Sequence, residues 1–203
     1  MAVRTLFVSK LYEASLADAP DFPAFNADLA AACRAIAAQD MAGQAWSHAH
    51  AYGGYTSYAS LDDLTRRDSL FDELRRRLDR HVAAFARELH LDLAKKLRLD
   101  SLWINILAPG AAHSGHIHPH SVISGTVYVE TPPGASALKL EDPRLPMMMA
   151  APGRTAEAPE SEQPFVYVAP APGTVLLWES FLRHEVPANA ARADRISLSF
   201  NYA

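Results

Sequence analysis

Three of the nine histidines in this chain are spaced for metal chemistry. His116 and His118 are separated by one residue, which places both rings on one face of a strand, because strand side chains alternate with period two. His184 supplies a third imidazole on a later stretch, and Arg195 and Ser197 follow it. Neutral imidazole ligates iron, zinc, copper and nickel, and three such ligands on neighbouring strands leave positions open for a substrate or oxygen. A guanidinium close by takes a carboxylate, and a serine hydroxyl adds a donor. The layout is that of a mononuclear metal site beside an anchor for an anionic co-substrate.

Two alternatives compete for these roles. His113, His116, His118 and His120 crowd one short tract, and such tracts also bind metal weakly and adventitiously. His120 stands at the same spacing from His118 as His116 does, but Pro119 and Ser121 mark a strand end there. The His116/His118 pair is therefore favoured. Arg192 is the neighbour of Arg195 but lies in the polar turn 190–193 and is expected to be exposed.

Strands must hold these residues. From Ser101 onward the apolar period changes from near four to two. Candidate strands are Ser101–Leu107, Ser114–His118, Val122–Glu130, Ala137–Glu141, Phe165–Ala169, Thr174–Trp178, His184–Val186 and Asp194–Tyr202. Proline and glycine punctuate them. Many short strands without intervening helices predict an antiparallel sandwich or barrel. In the last strand Arg195, Ser197, Ser199 and Asn201 share one face, and Ile196, Leu198, Phe200 and Tyr202 share the other. The polar face meets water in an ordinary half-buried strand, or lines a pocket in a barrel covered outside by helices. Periodicity leaves both open.

Residues 1–99 read as a mainly helical flank, packed on one sheet of a β core at 100–203, all within one domain spanning 1–203. Val3–Val8 is a predicted strand. Asp21 and Pro23 signal a helix start, with Phe25, Leu29, Cys33 and Ile36 recurring every three or four residues and Gly43 ending the region. The segment 53–58 reads as turns. Ser60 and Ser69 resemble capping residues ahead of Asp63 and Asp72, and Leu70, Leu74, Leu78, Phe85 and Leu89 form the stripe of a longer helix, with His81 at its edge. Pro143–Pro164, with three consecutive methionines, is either a lid or a disordered loop.

Composition narrows the class. A net charge of −4 gives no reason to expect nucleic acid or an anionic membrane. Arg75, Arg76 and Arg77 sit among Asp72, Glu73 and Asp79 and read as a solvated helix face. The one cysteine, Cys33, excludes an internal disulfide and is expected in the core. No apolar run is long enough to span a bilayer and no signal peptide is visible, so a cytoplasmic protein is expected. Oligomeric state is open, a homodimer included.

With these residues in place, the chain resembles the 2-oxoglutarate- and iron(II)-dependent oxygenases, whose iron is held by a His-x-Asp/Glu pair and a distal histidine. In that superfamily an arginine past the distal histidine, often within Arg-x-Ser, binds the far carboxylate of 2-oxoglutarate. More closely, it resembles a bacterial and phage branch of these oxygenases. The resemblance rests on Trp103-Ile104-Asn105, His116-Ile117-His118-Pro119, Ser124-Gly125-Thr126-Val127-Tyr128-Val129, Leu140-Glu141-Asp142-Pro143, Pro172-Gly173, His184-Glu185-Val186 and the run from Arg195 to Asn201. Gly54-Tyr55-Thr56-Ser57 matches an N-terminal motif of that branch.

The resemblance implies a mainly β fold, a double-stranded β-helix (jelly-roll, cupin-like barrel) with flanking helices. It implies Fe(II) on His116, His118 and His184, and 2-oxoglutarate anchored by Arg195 and Ser197, with Tyr128 and Asn105 as pocket residues. It further implies a dioxygenase that hydroxylates a substrate, small molecule or peptide, while 2-oxoglutarate is decarboxylated to succinate. One departure is the middle ligand: His118 stands where the wider superfamily has a carboxylate, so Fe(II) would keep its full double charge until an oxoacid binds.

Two other readings share the three histidines. A cupin-type metal-dependent dioxygenase or isomerase without 2-oxoglutarate fits Gly110 ahead of His116-x-His118, but its expected glutamate is replaced by Ser121 and Val122. A non-catalytic metal- or ligand-binding barrel fits the same fold.

Overall fold

The computed structural model describes all 203 residues. Its strands, in chain order, are β1 (Leu11–Ser15), β2 (Gly54–Thr56), β3 (Leu99–Leu107), β4 (His113–His116), β5 (Ile123–Glu130), β6 (Leu138–Glu141), β7 (Phe165–Val168), β8 (Thr174–Glu179), β9 (His184–Val186) and β10 (Arg195–Tyr202). Three helices, α1 (Phe22–Gln39), α2 (Met41–Ala49) and α3 (Ser69–Glu88), precede β3. The strands form a six-stranded sheet in the order β1-β8-β5-β10-β3-β2 and a four-stranded sheet in the order β4-β9-β6-β7. Every strand pairing is antiparallel.

The large sheet has a helix side and an interior side. On the helix side, Ile196, Leu198, Phe200 and Tyr202 of β10 join Ile104, Val127 and Leu177 and the apolar stripes of α1 and α3 in one continuous core. Phe71, Leu74, Leu78, Val82 and Phe85 recur at helical spacing along α3 and are buried there. The opposite face of α3 is laced by ion pairs such as Arg75 with Asp72 and Asp79. The Tyr202 hydroxyl donates to Asp79 at 2.9 Å, and Asn26 of α1 donates to the Val129 carbonyl at 3.0 Å, so both helices are pinned to the sheet. Cys33 is fully buried in this core, where burial pushes its thiol up to about 12.

On the interior side lies a smaller apolar cluster that includes Tyr128, Leu107, Leu176, Trp178 and Leu140. Arg195, Ser197 and Asn201 are buried here too. This settles the alternative left by periodicity: the polar face of β10 lines the inside of the barrel. Gly125 of β5 is required by the packing on the other face, because a Cβ there would stand 2.5 Å from the Phe200 ring and 2.6 Å from Leu177.

Several expectations are corrected. Val3–Val8 forms no strand; Phe7 takes a left-handed φ of 56°, which breaks an extended run, and Leu11–Ser15 occupies the sheet edge beside β8 instead. Gly43 does not end a helix but lies inside α2, because the Asp40 carboxylate caps that helix by accepting from the Gly43 N–H at 3.0 Å. The cap of α3 is Asp68, whose carboxylate accepts from Leu70, and Ser69 is already helical. Gly54–Thr56 is a strand paired with β3 rather than a turn. β4 ends at His116, so His118 lies past the strand that was expected to carry it. Between Pro143 and Pro164 the only regular structure is two short 3-10 turns, Leu145–Met147 and Glu160–Glu162. No helix is long and apolar enough to cross a membrane.

Candidate active site

β4 and β9 are neighbours in the small sheet, and His116 stands directly opposite His184 in their register. His118 reaches the same point from the loop after β4, held by its backbone N–H donating to the Ser180 carbonyl at 3.0 Å. One nitrogen of each of the three rings lies within 4.8 Å of the others. His118 Nε2 and His184 Nε2 are 3.2 Å apart. That is the spacing two imidazole nitrogens take when each stands roughly 2.1 Å from one shared ion.

The surrounding backbone sets the tautomers. Nδ1 of His116 donates to the Ser114 carbonyl at 2.8 Å, and Nδ1 of His184 donates to the Leu182 carbonyl at 3.0 Å. A carbonyl only accepts, so both rings keep the Nε2 lone pair turned to the shared point. Burial pushes the His184 imidazole down to about 3 and that of His118 down to about 4, each reinforced by the neighbouring His116. Burial lowers His116 as well, with the Ser114 carbonyl opposing. The trio is thus neutral at pH 7, the state in which imidazole ligates. Trp103 stacks on His118 with ring centroids 5.7 Å apart, and Trp178 meets His184 edge-on at 4.7 Å.

Arg195 enters the same cavity from the opposite end of β10's polar face. It is 3% exposed, and no carboxylate pairs with it. Its guanidinium lies over the Tyr128 ring at 4.8 Å and reaches the Ser197 hydroxyl at 3.5 Å, while its Nε has no partner. The Tyr128 hydroxyl and Trp178 Nε1 are likewise buried and unpartnered. A buried cation without a counter-ion is costly, by several kcal/mol on the usual scale (~3–5 kcal/mol). An anion with carboxylate oxygens fits this cradle, as three imidazoles fit a borderline divalent ion such as Fe(II).

Asn105 lines the cavity, but its polar atoms are already engaged. Its Oδ1 accepts from the Tyr52 and Thr56 hydroxyls at 3.0 and 2.9 Å, and its Nδ2 donates to Ser199 at 3.0 Å. It braces the wall. His120 is exposed at a left-handed turn and Arg192 is exposed, so neither joins the site. Sequence reading missed Tyr52, His113 and Trp178 as cavity residues. Trp178 shares the alternation of Leu176 and could have been found from it. Tyr52, ahead of β2, carries no such signal. A surface hollow of about 610 Å³ lies elsewhere beside Arg34 and Glu130, which already neutralise each other in an ion pair.

Fold and site together define a double-stranded β-helix protein in which three histidines converge in the same cavity as a buried, unpaired arginine. Residues 101–201 match the family described as "Putative 2OG-Fe(II) oxygenase", and the chain belongs to that family. Among solved structures, the epimerase SnoN of nogalamycin biosynthesis, in complex with Fe3+, alpha ketoglutarate and nogalamycin RO, superposes with a TM-score of 0.63. The match is 16% identical and covers 96% of this chain and 78% of that one. A prolyl-4-hydroxylase from Pseudomonas putida superposes with a TM-score of 0.57 at 15% identity, covering 96% and 92% of the two chains. An oxidoreductase of the 2OG-Fe(II) oxygenase family from Burkholderia pseudomallei matches over 61% of this chain at 19% identity and a TM-score of 0.44, and the chain spans about half (52%) of that protein's length. No curated protein matches the sequence.

Proposed function

We propose that this chain is a 2-oxoglutarate- and Fe(II)-dependent dioxygenase that hydroxylates its substrate as 2-oxoglutarate is converted to succinate and carbon dioxide. One observation carries the reading: a buried guanidinium without a carboxylate partner shares a cavity with three converging imidazole nitrogens. His116, His118 and His184 would hold the iron, which when bound supplies the redox chemistry that activates dioxygen. Arg195 neutralises the far carboxylate of the oxoacid, and the Ser197 hydroxyl adds a donor on the same strand face. Tyr128 stops the guanidinium from turning away by lying flat beneath it. Asn105, locked by Tyr52, Thr56 and Ser199, keeps the wall between anchor and histidines rigid. The apolar residues Leu107, Leu138 and Val186 line the same cavity and exclude water from it.

Arg195 also separates this reading from a cupin-type enzyme that does without an oxoacid, since such an enzyme has no use for the unpaired cation. Anaerobic titration of the apo-protein with Fe(II) and then 2-oxoglutarate tests the proposal. A charge-transfer absorption band is expected on adding the oxoacid, followed by oxygen-dependent succinate. Intact Fe(II) binding without the band would overturn the co-substrate assignment.

A further inference from the structure

His113 lines the cavity without converging on the shared point of the three histidines, and its surroundings are unusual for a half-buried histidine. It opens β4, three residues ahead of His116. In a regular strand that spacing would put the two rings on opposite faces. The register of β4 against β9 shifts between His113 and His116, an irregularity that turns both rings the same way. Their planes lie 23° apart with centroids at 4.4 Å, a stacked pair. Tyr52 meets the other side of His113 edge-on at 5.4 Å.

The ring lines the same cavity as Arg195 and the histidine trio, yet it is not one of the converging ligands. Neither of its nitrogens hydrogen-bonds to the protein, whereas His116 and His184 each donate Nδ1–H to a backbone carbonyl. In its neutral form this imidazole offers one free N–H and one free lone pair to the cavity it shares with the Arg195 cation and the three converging imidazoles. A carboxylate offers only acceptors, so the N–H is the group that can meet it.

We infer that His113 is a further co-substrate-binding residue, donating its ring N–H to a carboxylate oxygen of the oxoacid between the metal trio and Arg195. The inference rests on the 2-oxoglutarate reading above and adds to it a contact that neither the iron ligands nor the arginine provides. His116 supports it from behind: the stack fixes the plane of His113 and hence the direction of its N–H.

The test is the same anaerobic titration, run on two variants and the wild type. His113→Phe keeps a planar ring in the stack and removes the donor, and His113→Gln keeps a donor without the ring. In His113→Phe the 2-oxoglutarate midpoint should rise roughly ten- to a hundredfold, the loss of one hydrogen bond to a charged group, with Fe(II) affinity unchanged. His113→Gln should recover part of that loss. A wild-type midpoint in His113→Phe overturns the inference while leaving the oxoacid reading intact. Equal weakening of Fe(II) and 2-oxoglutarate, or equal shifts in the two variants, overturns it in favour of a packing role. A wild type that binds Fe(II) but gives no band with 2-oxoglutarate brings down the reading and the inference together.

Discussion

On the helix side of β10, Ile196, Leu198, Phe200 and Tyr202 are wholly buried in a continuous apolar core. On the other side of the same backbone, Arg195, Ser197 and Asn201 are nearly as buried, but among histidines, hydroxyls and amides. Burial alone therefore does not separate the two regions. What separates them is satisfaction. The helix side has its partners within the chain, down to the Tyr202 hydroxyl on Asp79. The interior side keeps unpartnered donors at Arg195, Tyr128 and Trp178. One face holds the fold together, and the other holds unmet bonding capacity at some cost to the fold.

The sharpest way to break this contrast is at the histidine trio. His184→Ala should reduce Fe(II) affinity by more than the 10–100-fold typical of losing an outer support, with the thermal midpoint of the metal-free protein preserved; isothermal titration and calorimetry read both. Next comes the anchor. Arg195→Met should weaken 2-oxoglutarate binding by roughly a hundredfold and leave the metal-free protein as stable or more so, because a buried unpaired cation is removed. A clear loss of stability in that variant would show that Arg195 serves the fold. Phe200→Ala is the mirror experiment: about 3–5 kcal/mol of stability should be lost in chemical denaturation, while the folded fraction binds 2-oxoglutarate as before.

Acid sharpens the comparison on a smaller scale. His184 and His113 are pushed down to about 3 in the folded chain, against an unfolded value near 6.5. Below pH 6.5 the unfolded chain takes up protons that the folded one refuses. Stability of the metal-free protein is therefore complete above about 6.5 and falls as the pH drops from there toward about 3. Denaturation curves between pH 7 and 4.5 should show this, with a shallower slope in His184→Ala. The smallest effect belongs to the outer core. Cys33, pushed up to about 12 and fully buried, should resist thiol reagents in the native state and react at once on unfolding.

Legibility in the sequence follows the same divide. Alternation along β3, β5, β8 and β10 located those strands to within two residues, and His184–Val186 matched β9 end to end. Period two also grouped Arg195, Ser197, Ser199 and Asn201 on one face. It could not say which way that face turned, because that depends on helices from the other half of the chain. His113 was hidden for a local reason: a register shift in β4 overrides the alternation that would have turned it away. Tyr52 was hidden for a distant one, since only the pairing of β2 with β3 brings its hydroxyl to Asn105. Val3–Val8 shows the reverse error, an apolar run with strand character but no place at the sheet edge.

The uncompensated charge of Arg195 has one more consequence, and it is practical. A compound that binds the native chain and not the unfolded one raises its melting temperature by mass action, and a hundredfold excess over Kd adds about 2.7 kcal/mol. An oxoacid that also relieves a buried cation acts on a strained ground state, so its signature should be large for its size. With that baseline raised, a library of candidate substrates can be screened by thermal shift, and a hit whose shift is lost in Arg195→Met reports binding that depends on the barrel.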